Sequence, residues 1–153
     1  SIIECGCGIS TVIIALATEH SRARFVSLEQ DKHWLELTQQ ALAALGLSER
    51  VVLHHAPLKA INYDGQLRQV HDDSSLSLSH AELLLIDAPE GTTGRMGVLP
   101  QMMPHLRSNA LVLLDDAARP GEEACVTAWI GSGLATLEGY APLGSGLAIL
   151  QKG

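Results

Sequence analysis

The residues best placed for chemistry come early: Glu4-Cys5-Gly6-Cys7-Gly8-Ile9-Ser10, a glycine-rich turn between an apolar run and a helical pattern. Glycines there let main chain approach a ligand closely, and the helix that follows offers free N–H groups. A dinucleotide fingerprint asks for a third glycine three residues after Gly8, where Thr11 stands. Glu4 adds a carboxylate that would repel a pyrophosphate and attract an ammonium group. The turn suits a cationic nucleoside better than a dinucleotide.

Glu29 ends the second apolar run, 21 residues after Gly8. A carboxylate at that place can accept both hydroxyls of a ribose; read locally, it is the first acid of Glu29-Gln30-Asp31 at a helix start. Asp87 and the pair Asp115-Asp116 end two further runs, so on adjacent strands their carboxylates meet on one rim. Arg95 and Arg119 are forks for a substrate carboxylate or phosphate, or else ion-pair partners. Cys5 and Cys7 lack the second pair a zinc site needs and read as small residues at a tight turn. His54 and His55 alternate faces, so at most one of them can act as a base on the ligand side.

These residues need a scaffold. Strand candidates are Ser1–Glu4, Phe25–Leu28, Val51–His55, Leu83–Ile86 and Leu111–Leu114, near-continuous aliphatic runs of the kind buried on both faces of a parallel sheet. Helical periods alternate with them, which is the mark of repeated β-α units. Thr11–His20 is apolar on almost every side and predicts a buried helix. Lys32–Leu45 repeats at helical spacing, with Asp31 to cap it and Gly46 to end it. A short or irregular helix is expected around Pro100–Leu106, because Pro104 cannot sit in a helix interior. Pro120 suits a first helical position and Gly131 would close that helix. Leu134–Tyr140 and Leu147–Lys152 must pair as an antiparallel hairpin, since the link is too short for a crossover. Residues 59–80 read as a long surface loop with a fragment of helix or edge strand, and Asp64-Gly65 as a turn.

Taken in order, Glu4-x-Gly6-x-Gly8, Glu29, His55-Ala56-Pro57, Asp87-Ala88-Pro89 and the closing hairpin resemble the class I S-adenosylmethionine-dependent methyltransferases. The resemblance spans essentially the whole chain. It implies one α/β doubly wound, Rossmann-like domain over 1–153, lacking the N-terminal helices of many relatives. Its mostly parallel seven-stranded sheet would run in the order 3-2-1-4-5-7-6, with the last strand antiparallel and helices on both faces. It also implies S-adenosylmethionine as cofactor: Glu4 on the methionine amine, Gly6 and Gly8 along methionine and ribose with Ser10 beside them, and Glu29 on the ribose. Gln30 would flank the adenine, Ala56 would approach its edge, and Asp87 would face the cofactor.

Asp87, Asp115 and Asp116 are also similar to the acids that hold Mg²⁺ in catechol-type O-methyltransferases, although Asp116 replaces an Asn and the family's Lys is absent. Three carboxylates suit a hard cation; otherwise they orient loops or cap the next helix. The segments Asp87-Ala88-Pro89-Glu90-Gly91 and Asp115–Pro120 look more like bacterial small-molecule methyltransferases. The expected reaction is methyl transfer to a small-molecule nucleophile, an oxygen first of all. Asp87, Asp115 and Asp116, in that order, are candidates for the base or for substrate orientation, and Arg95 and Arg119 for substrate binding. An NAD-dependent oxidoreductase and a non-catalytic binding domain are the alternatives.

Composition limits the partners. The formal charge is −7 and no cluster of Lys and Arg appears, which argues against nucleic acid or an anionic membrane. A small molecule remains, with a homodimer among the assemblies allowed. Three cysteines form no even framework and point to a reducing, cytoplasmic compartment. Only five residues are aromatic, so aliphatic side chains must fill the core.

Overall fold

A computed structural model describes residues 1–89 and 94–153 of the chain. Glu90 and Gly91, part of one segment that carries the resemblance, lie outside the described residues.

The aliphatic runs form a seven-stranded sheet: β1 (Ile2–Cys5), β2 (Phe25–Glu29), β3 (Val52–His55), β6 (Ala81–Ile86), β7 (Leu106–Asp115), β8 (Ala135–Ala141) and β9 (Leu147–Lys152). Their order is β3-β2-β1-β6-β7-β9-β8. Neighbours are parallel from β3 to β7, and β9 runs antiparallel to both β7 and β8. This is the expected order and the expected hairpin.

Alternation along the strands divides the core. Ile3, Cys5, Val26 and Leu28 face one cluster with Leu84, Leu99 and Trp129, while Ile2 and Phe25 face a second with Ala15, Leu42 and Val51. Helices therefore cover both faces: α1 (Ile9–Ala17) and α2 (Lys32–Ala44) on one side, α3 (Val98–Met102) and α4 (Pro120–Gly131) on the other. Asp31 caps α2 by accepting from the N–H groups of His33 and Trp34. Pro120 opens α4 and Gly131 is its last residue, both as expected, and the left-handed residue that turns the chain away follows at Gly133. The region before β7 is short and irregular, a five-residue helix followed by a 3₁₀ turn over Met103–His105.

Two expectations are corrected. Helix α1 is not buried all round: Thr11 and Ala15 are covered, while Ile9, Ile13 and Leu16 are exposed because no described layer packs on their side. Residues 58–71 are not a loop. They form a separate antiparallel hairpin, β4 (Leu58–Tyr63) and β5 (Gln66–His71), in register from Leu58↔His71 to Tyr63↔Gln66. Asp64 and Gly65 both take positive φ, the geometry of a two-residue turn that matches strand twist. Among the described residues no helix is long and apolar enough to cross a membrane.

Candidate functional site

The turn after β1 and the end of β6 touch. Gly6 has φ +98°, and a Cβ there would lie 2.8 Å from the Ala88 Cβ and 3.0 Å from its nitrogen. Only glycine fits. Gly8 differs, since a Cβ on it would meet nothing within 4 Å. Its N–H donates to Thr11 Oγ1 (2.9 Å), and that hydroxyl donates to Glu4 Oε2 (2.6 Å). Where a dinucleotide fold wants a third glycine, this chain has a hydroxyl relay.

That relay corrects the expectation for Glu4. Its carboxylate is wholly buried and accepts from the hydroxyls of Ser10, Thr11 and Ser27, so it braces the turn from behind instead of meeting a ligand. Burial raises its pKa, and the three hydroxyl donors oppose the rise only in part. Ser10, spent on Glu4, also stands behind the turn. Ala56 is buried too, and its N–H goes to the Glu29 carbonyl, so it does not reach an open edge.

A cavity of about 490 Å³ opens at the carboxyl ends of β1, β2 and β6, a size suited to a nucleoside ligand. Gly6, Cys7, Gly8 and Ile9 line one wall, Glu29, Gln30, Asp31 and Trp34 another, and Asp87 with Ala88 the third. Glu29 Oε2 accepts the Cys7 N–H (2.9 Å) and Oε1 accepts that of Asp31 (2.7 Å), which leaves a second lone pair on each oxygen. The carboxylate is thus locked between the glycine turn and α2. Of the cofactor candidates, the fold brings Gly6, Gly8, Glu29, Gln30 and Asp87 to one cavity and keeps Glu4, Ser10 and Ala56 out of it. Burial pushes the Cys7 thiol up to about 12, so it is protonated at neutral pH and no nucleophile.

Sequence reasoning missed two residues here. His71, at the end of the hairpin, has its Nε2 against the side-chain oxygen of Gln30. Trp34 stands on the cavity wall with 55% of its surface exposed. Trp34 belongs to the helical pattern of Lys32–Leu45, and that spacing alone does not mark it as a cavity residue. Nothing in the sequence near His71 pairs it with Gln30. Of the two strand-end histidines, His55 donates its Nε2 hydrogen to the Gln30 carbonyl (3.2 Å) and so holds backbone.

Asp87, Asp115 and Asp116 do converge: one oxygen of each lies within 4.8 Å of the other two. An arginine is already among them. Arg95 has no exposed surface, and its Nη2 lies 3.1 Å from Asp87 Oδ1 and 3.2 Å from Asp116 Oδ2. Nη2 also donates to the Asp87 carbonyl and Nη1 to that of Asp115 (2.6 Å). Buried, and with both Nη atoms donating to the two strand ends, Arg95 is no substrate fork; of its two readings, the ion-pair partner is the one the fold realises. Arg119 is half-exposed and pairs with Asp116 at 2.8 Å. The donor set suits Mg²⁺, but the place between Asp87 and Asp116 is filled by the Arg95 guanidinium, so these residues do not fit the ion.

A family model for a methyltransferase domain matches residues 3–117. No curated protein matches the chain. Solved structures share the fold: a methyltransferase from Geobacter sulfurreducens has 21% identity and a TM-score of 0.68, over 99% of this chain and 70% of that one. A Podospora anserina methyltransferase with S-adenosylhomocysteine bound has 17% identity and a TM-score of 0.69, over 99% and 71%. The O-methyltransferase TomG from Streptomyces achromogenes, in complex with S-adenosylmethionine, has 16% identity and a TM-score of 0.65, over 99% and 72%. With three-quarters of the sequence matched by the model and the strand order to go with it, the chain belongs to the methyltransferase-domain family and is a class I S-adenosylmethionine-dependent methyltransferase.

Proposed function

We propose that the chain moves the methyl group of S-adenosylmethionine to an oxygen of a small molecule. The locked Glu29 carboxylate in the 490 Å³ cavity carries the cofactor side of this reading. Its free lone pairs suit the two ribose hydroxyls, and Gly6 and Gly8 give the methionine arm room to lie against main chain. Gln30 flanks the base. The sulfonium is positive, and Asp87 on the cavity wall offers it an acidic neighbour.

Among the described residues, the Asp115 carboxylate is the member of the acid triad with no hydrogen-bond or ion-pair partner. That makes it the base. An acceptor hydroxyl gives its proton to Asp115 as its oxygen attacks the methyl carbon; the carbon–sulfur bond breaks and S-adenosylhomocysteine leaves as a neutral thioether. Positioning supplies most of the rate, as expected for a two-reactant displacement. Arg119, half-exposed beside the triad, would steer an anionic group of the acceptor. The shared fold of TomG, an O-methyltransferase, supports oxygen as the nucleophile.

Calorimetric titration with S-adenosylhomocysteine, with NAD as control, tests the site. Binding that disappears in Glu29→Ala is expected; binding of NAD alone would overturn the reading. Transfer of labelled methyl to a panel of phenols and hydroxy acids, against amines and thiols, then tests the nucleophile.

A further inference from the structure

Three carboxylates at the ends of two adjacent strands would ordinarily need a cation between them. Here the chain provides one of its own. Arg95 lies beyond β6 and the Asp87 that follows it, and its guanidinium turns inward so that four donations tie the two strand ends: to the Asp87 carbonyl and Oδ1, the Asp116 Oδ2 and the Asp115 carbonyl. Glu122, from the first turn of α4, stands 3.8 Å from its Nε on the remaining side. Arg119 adds a second positive charge 2.8 Å from Asp116 Oδ2. A divalent ion binding Asp87 and Asp116 would have to sit about 2.0–2.6 Å from each oxygen, inside the reach of both guanidinium groups. Expelling Arg95 would strip two main-chain carbonyls of their donor and leave a buried charge unpaired, which is strongly disfavoured.

We propose that Arg95 is a built-in replacement for the divalent cation: it closes the acid triad to metal, fixes Asp87 and Asp116, and leaves Asp115 free toward the acceptor. Arg95 is in this sense a positioning residue, and acceptor orientation falls to side chains alone. Its consequence for turnover rests on the methyltransferase reading above; the exclusion of metal does not.

The test is titration of the full chain with millimolar Mn²⁺, followed by the electron paramagnetic resonance signal of the free ion. Wild type and Arg95→Lys, which keeps a cation in place, should leave the signal unchanged. Arg95→Met combined with Arg119→Gln should bind Mn²⁺ roughly tenfold or more tightly than wild type, and adding Asp115→Asn should remove that binding. Two results overturn the proposal: Mn²⁺ binding by wild type that is lost in Asp115→Asn, or a double variant, folded by circular dichroism, that still ignores the ion. If the double variant does not fold, wild type and Arg95→Lys decide the matter between them. S-adenosylhomocysteine titration in the presence of EDTA runs in parallel. A failure there counts against the cofactor reading and leaves the metal result standing.

Discussion

The Nε2 of His71 and the side-chain oxygen of Gln30 are hydrogen-bonded across 41 residues of sequence, which joins the end of the β4–β5 hairpin to the lip of the cavity beside Glu29. His71 is fully buried, and burial lowers its pKa to about 4. The imidazole is therefore neutral at working pH. With Gln30 accepting, the proton sits on Nε2, and Nδ1 is left buried without a partner. The carboxamide oxygen is thus taken, and on the cofactor reading proposed above the NH₂ is the end Gln30 would offer to the adenine.

His71→Phe should keep the ring volume and free Gln30 to turn. One lost hydrogen bond predicts S-adenosylhomocysteine binding weaker by roughly three- to tenfold. Discrimination is the sharper readout. Hypoxanthine presents an N–H where adenine presents an acceptor, so wild type should prefer S-adenosylhomocysteine over S-inosylhomocysteine by more than the variant does. An unchanged preference would mean that Gln30 is not oriented by His71.

Two buried groups should shape stability against pH in opposite senses. The folded-state pKa of Glu4 is raised above 4.5 by burial, so the unfolded chain ionises first and stability falls as pH rises past that value. Glu4→Gln should therefore gain on wild type as pH increases above 4.5. The folded-state pKa of His71 is depressed from 6.5 to about 4, so the unfolded chain takes up its proton first and stability falls as pH drops through that window. His71→Phe should gain on wild type there. Urea denaturation across both windows checks the two signs, and a flat difference for either variant removes that group from the account.

Much of this was legible because local signals agreed with the fold. Continuous aliphatic runs, each ending in a polar residue, mark the strands and put Asp87 and Asp115 on one rim, while the strand order comes from the resemblance to the class I methyltransferases. The hairpin of residues 58–71 is the structure's correction to the loop expected there: Asp64-Gly65 fits a turn inside a loop, but between Leu58–Tyr63 and Gln66–His71 the same dipeptide is a strong hairpin signal. Glu4 is misplaced by its sequence, and Arg95 is left with two readings, for a deeper reason. Residue type and spacing place a charge near a rim, but whether it faces solvent or folds inward depends on partners such as Ser27 and Asp116 that are close only in space.

The two glycines of the first turn should fail in different ways. Gly6→Ala places a Cβ against Ala88 at a left-handed φ and should destabilise the fold by about 1–3 kcal/mol, seen as a lower Tm. Gly8 has open space at that point, so Gly8→Val should fold with near wild-type Tm and block the cavity. Tryptophan emission gives the measurement, because Trp34 lines the cavity while Trp129 is wholly buried. Wild type should respond to S-adenosylhomocysteine, whereas Gly8→Val and Trp34→Phe should not. A wild-type response from Gly8→Val would place the ligand elsewhere.

Asp115 and Asp87 should separate in a comparison of turnover with binding. Asp87 lines the cavity and holds Arg95, so Asp87→Asn should weaken both cofactor affinity and thermal stability. The Asp115 side chain, with no partner among the described residues, contributes little to either. Asp115→Asn should bind S-adenosylhomocysteine as wild type does, yet lose about 10²–10⁴ in kcat, the range for removal of a general base. Full turnover by Asp115→Asn, beside a dead Asp87→Asn with intact cofactor binding, would move the base to Asp87. In that event the Arg95 contact at 3.1 Å would have to open before each proton transfer.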